Sequence, residues 1–187
     1  MKKIVLTFGL IAGAILSAMM LITLPFHDLI GFDWGMVVGY TTMVIAFLLV
    51  YFGVRQYRDT VGGGSIGFGR AFVVGALIAA VASACYVATW EVIYFTFKPD
   101  FLTEYQAHEL DKARAGGATA QELAQKKAEM DHLAEMYQNP AINAAMTFME
   151  PLPVALIVAL VSAGVLSTRK KRRTGENGVV AGAGAPA

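Results

Sequence analysis

Two glutamates stand in stretches otherwise apolar enough to lie in a bilayer: Glu91, between Trp90 and Val92, and Glu150, between Met149 and Pro151. An ionised carboxylate at the centre of a membrane helix costs on the order of 2.5 to 3.5 kcal/mol on insertion scales, so each raises a functional question. Glu91 lies about six residues, roughly 9 Å of helix, before the end of its apolar run, and Glu150 lies roughly 5 Å inside the start of its own. The two runs cross in opposite directions, which brings both carboxylates to a similar depth near what the charge pattern makes the outer face. Facing one another there, they would repel and share a proton, forming a proton- or cation-binding site. No basic residue inside the runs is available to neutralise them. The plainer alternative is that each carboxylate reaches to the outer interface or bonds Tyr94, Trp90 or Thr147.

Other groupings that could carry chemistry are thinner. Glu104 with His108 and Glu129 with His132 have spacings that share a helix face, as metal ligands do, but one Glu-x-x-His is too little for a di-iron site. Gly62, Gly63, Gly64, Gly67 and Gly69 form a glycine-rich loop that lacks the Lys-Ser/Thr of a phosphate loop and follows no strand. It reads as a flexible turn. Nothing resembles a Ser-His-Asp or Cys-His constellation, so no enzyme activity, cofactor or metal is expected. The single Cys85 can form no internal disulfide.

The elements that must position the two acids are membrane helices. Hydrophobic residues make up 56% of the 187 and charged residues 16%, against roughly 45 to 50% and about 25% in soluble domains; the mean hydropathy is +0.55. A span needs about 20 apolar residues. Four segments qualify, at about residues 4–24, 36–52, 72–97 and 147–166, the second near the short limit. The first has the charged flank of a signal peptide, but its apolar run exceeds the usual 7 to 15 residues or so, which predicts a retained helix. Pro25 ends it, and Phe26 to Gly35 is expected to be a short loop. The expected fold is all-α: one transmembrane domain over residues 1–173, a helical insertion at about 100–139, and a disordered cytoplasmic tail over 174–187.

Basic residues favour the cytoplasmic side. Lys2 and Lys3 precede the first span; Arg55, Arg58 and Arg70 lie between the second and third; Arg169, Lys170, Lys171, Arg172 and Arg173 follow the fourth. All fall on one side of a four-span arrangement, with both termini inside. The net charge of +1 indicates no nucleic-acid partner. Small residues recur at four-residue spacing, which allows close helix approach: Gly9, Gly13 and Ser17 in the first span, Gly35 and Gly39 at the second, Gly75, Ala79 and Ser83 in the third, Ala159 and Ala163 in the fourth. They predict packing inside one bundle or a dimer face.

The insertion is rich in Ala, Glu and Lys and divides at Gly116 and Gly117 into two helices, the second opened by a Thr119 and Glu122 capping box. Leu123, Met130 and Tyr137 recur every seven residues, an apolar stripe fit for the bilayer surface, the partner helix or a second copy of the chain.

Short motifs connect these pieces to a family. Gly67, Phe68, Gly69, Arg70, Ala71 and Phe72, followed by Val74, Gly75, Tyr86, Trp90, Tyr94, Pro99, Asp100 and Phe101, then Met149, Glu150, Pro151, Leu152 and Pro153, resemble the bacterial domain-of-unknown-function family 4199 over roughly residues 5–170. The resemblance implies a four-span protein of the bacterial inner membrane with a helical external insertion, and no assigned activity. The expected function is accordingly non-enzymatic, through self-association or a membrane partner engaged by the external helices. A small proton- or cation-coupled transporter or channel using Glu91 and Glu150 is the alternative.

Overall fold

A computed structural model describes residues 1–167 of the chain. Every regular element among them is helical: α1 (Lys2–Thr23), α2 (His27–Thr60), α3 (Phe68–Val92), α4 (Phe101–Ala115), α5 (Ala120–Tyr137), α6 (Pro140–Met149) and α7 (Leu152–Leu166). A single 3-10 turn, Leu24–Phe26, links α1 to α2, and a π-helical turn, Ile93–Phe97, ends α3. Three helices are long and apolar enough to cross a membrane, or up to four spans exist if the bent pair α6 and α7 is one. Arg169 to Arg173 and the 174–187 tail lie outside the described residues.

Residues 26–35, expected to be a loop, are helical instead. Pro25 is absorbed in the 3-10 turn, and α2 begins at His27 with one interruption at Gly31, whose φ of 71° is open to glycine at little cost. The fourth apolar stretch is broken rather than continuous: α6 and α7 meet at 41°. Pro151 has no amide to continue the ladder, and Glu150 closes α6 by an i to i−3 bond to the Thr147 carbonyl.

α1 and α3 run in the same direction, α2 and α7 against them; α1 packs on α2 and α3, and α2, α3 and α7 pack on one another. The direction follows from paired positions: Gly9 lies against Val81 and Gly13 against Cys85, while Ser17 shares a 2.7 Å hydrogen bond with Thr89. A Cβ at Gly9 or Gly13 would come within 2.6 Å of the α3 side chain opposite, so only glycine permits this approach. Gly75 faces Val50, Val54 and Ala159, at the junction of α2, α3 and α7, and Ala79 and Ser83 continue that buried face. The core, including Phe47, Val50, Val54, Val74, Ile78 and Ala159, fills the half of the bundle holding the start of α1. Lys2, Lys3, Arg55, Arg58 and Arg70 lie at that same end of the helices.

The other half is built differently. A Cβ at Gly35 or Gly39 would meet nothing within 4 Å among the described residues, so they mark no close helix contact. α4 and α5 pack on each other at this end, joined through Gly116 and Gly117. Thr119 caps α5 with both bonds of the capping box. Lys126 reaches Glu109 at 2.7 Å, and Gln106 donates to Asp131 at 2.7 Å.

Candidate functional site

Where the α1 to α3 contact loosens beyond Thr89, the helices leave a cavity of about 580 Å³. Met19 and Met20 of α1, Leu24 of the 3-10 turn, Met36 and Met43 of α2, and Met146 of α6 give it an apolar, adaptable wall. Phe101, Leu102, Tyr105, Leu133 and Tyr137 of α4 and α5 cover its end.

Among the described residues one charged side chain lines it. Glu150, at the α6–α7 break, accepts a 2.8 Å hydrogen bond from the Tyr86 hydroxyl of α3. The break therefore has a consequence for the site, since it sets the carboxylate at a helix end facing the cavity rather than within a continuous ladder. Tyr86 and Trp90 are four residues apart and present one face of α3 to the cavity.

Glu91 follows Trp90 on α3. It is not part of the cavity wall, and no hydrogen bond or ion pair joins it to Glu150. Each helical residue advances about 100° around the axis, so Glu91 is turned away from the face that carries Trp90. Its Oε1 is buried without a hydrogen-bond partner among the described residues, as are Trp90 Nε1 and Tyr94 Oη. The partner that the structure gives Glu150 is Tyr86. Similar depth could be read from helix rise, but facing direction could not.

A second polar group, missed in the sequence, fixes the cover. Asn143 and Thr147 are fully buried on α6. Thr147 donates to Asn143 Oδ1 at 3.2 Å and lies 3.3 Å from the Tyr137 hydroxyl, while Asn143 Nδ2 donates to the Tyr137 carbonyl at 3.3 Å. The end of α5 is thereby tied to α6. An asparagine amid Ala, Ile and Met was the available signal, since a buried amide demands partners.

The cover also holds to α2. Phe32 packs edge-on against Phe101 and Tyr105, with centroids 5.7 and 5.4 Å away, and tilted against His108 at 5.2 Å. Beside it Asp33 accepts a 2.6 Å bond from Lys112, which raises the lysine above its ordinary pKa. His108 Nε2 lies 3.8 Å from the other Asp33 oxygen, too far for a hydrogen bond. Among the described residues no group of three or more His, Cys, Asp or Glu could hold a metal ion, so Glu104 with His108 and Glu129 with His132 remain separate pairs.

These features define a protein that is all-helical over the described residues, with long apolar helices compatible with a membrane protein. The chain belongs to the family described as Protein of unknown function (DUF4199), whose model matches residues 7–168. No curated protein and no solved structure matches it.

Proposed function

We propose that this is a non-enzymatic, multi-pass protein of the bacterial inner membrane that binds a small lipophilic molecule in the cavity between its helices. In this arrangement α1, α2, α3 and the bent α6–α7 pair are four spans. Both termini are cytoplasmic, and α4 and α5 form an external helical hairpin. Support for the orientation is the gathering of Lys2, Lys3, Arg55, Arg58 and Arg70 at one end of the helices, the end that basic residues hold in the cytoplasm.

The observation that carries the binding role is the cavity itself, of about 580 Å³, within the range of ligand sites and lined mainly by apolar side chains with few polar groups. Binding is favoured over conduction because the cytoplasmic half is closed by the core around Phe47, Val50 and Ile78, all fully buried. The outward faces of α4 and α5, where only Tyr137 is buried, are the surface on which a membrane partner or second copy would act.

The test uses Trp90, which lines the cavity. In a Trp34→Phe protein, leaving one tryptophan, decanol titrated into nanodiscs should change Trp90 fluorescence saturably. Gly39→Leu, which places a side chain in the cavity, should abolish the change. A linear, non-saturable response indifferent to Gly39→Leu would refute the binding role.

A further inference from the structure

We infer that the cavity selects a single-chain cationic amphiphile, a primary amine on an aliphatic tail, with Glu150 as its counter-ion. The inference rests on the binding role proposed above and names the class of ligand. Among the described residues Glu150 is the only charged one in the wall, and no lysine, arginine or histidine among them lines it. A cation entering the cavity therefore meets one opposite charge and no like charge, whereas an anion would face an unbalanced carboxylate.

The placement of Glu150 suits this task. Tyr86 holds Oε2 by a 2.8 Å bond, which fixes the carboxylate and leaves its other oxygen to accept from an ammonium group. The aromatic rings of Tyr40, Trp90, Phe101 and Tyr105 also line the cavity, and ring faces attract a cation. The methionine-rich wall takes an aliphatic chain of variable shape. The volume matches a drug-sized molecule and not a two-chain phospholipid.

The experiment compares three ten-carbon probes that differ only in head group. Decylammonium, decanol and decanoate are titrated at pH 7 into the full-length Trp34→Phe protein in phosphatidylcholine nanodiscs, with empty discs subtracted. Decylammonium should bind at least about tenfold more tightly than decanol, and decanoate should not bind. Glu150→Gln should erase the preference for the amine over decanol. Equal affinity for decylammonium and decanol in the Glu150-bearing protein would overturn the cationic class while leaving the lipophile site intact. Absence of saturable binding by all three probes would instead remove the binding role. The three-probe comparison decides the matter without the substitution, so a misfolded Glu150→Gln protein does not shelter the inference.

Discussion

Alanine placed at individual glycines should divide the bundle into a half that resists a single methyl group and a half that does not. At Gly9 the new Cβ would lie 2.6 Å from Val81 Cβ and 2.7 Å from its Cγ1; at Gly13 it would lie 2.6 Å from Cys85 Cβ. Carbon atoms rest at about 3.5 to 4 Å, so α1 and α3 must separate by about 1 Å along the contact. Overpacking of this kind costs about 1 to 3 kcal/mol. At Gly75 the nearest atom, Val50 Cγ1, is 3.1 Å away and belongs to a side-chain tip, so the loss should be smaller. At Gly39 nothing lies within 4 Å, and exchange of a helical glycine for alanine should stabilise by about 0.5 to 1 kcal/mol. Reversible unfolding in mixed micelles would rank the four variants. Equal losses at Gly9, Gly13 and Gly39 would refute the tight contact and the open cavity together.

Asn143→Ala should destabilise by about 1 to 3 kcal/mol, because the buried Thr147 hydroxyl and Tyr137 carbonyl lose their partner; an unchanged melting temperature would show the network to be dispensable. Phe32→Ala should loosen α4 and α5, read as faster amide exchange in Phe101–Ala115, whereas unaltered exchange would mean that Asp33 with Lys112 suffices. Thr119→Ala should cost the start of α5 about 1 kcal/mol, seen as lost amide protection near Glu122. The capping bonds from the Thr119 backbone and hydroxyl hold the Glu122 carboxyl below its ordinary pKa. Its contribution is therefore present above the ordinary carboxylate range and lost as pH falls through the lowered value, and protection of the first turn of α5 should fall in that acidic window.

Hydropathy made the apolar helices legible, because length and composition alone decide whether a segment can cross a bilayer. Thr119, Glu122, Gly116 and Gly117 marked the divided insertion through local capping and turn chemistry. Where the sequence misled, the deciding contacts were distant. Pro25 and the polar His27, Asp28 and Asp33 argued for a loop, yet Gly31 alone supplies the break, and Phe32 and Asp33 meet partners on α4 more than sixty positions away. Glu150 stood out as an acid in an apolar run, but its partner Tyr86 is 64 positions distant and has no local signature. For Glu91, depth along a helix is a linear quantity readable from the sequence, whereas the direction a side chain faces depends on how the helix is turned against its neighbours.

The bent pair α6 and α7 decides whether Glu150 sits within a fourth span or on a re-entrant segment. Reporter fusions at Gly116 and after Thr168 bracket it. Crossing predicts an alkaline phosphatase fusion active at Gly116, outside, and inactive after Thr168, inside. Activity at both positions, or at neither, would place the two on one side of the membrane and contradict the four-span bundle that frames the cavity.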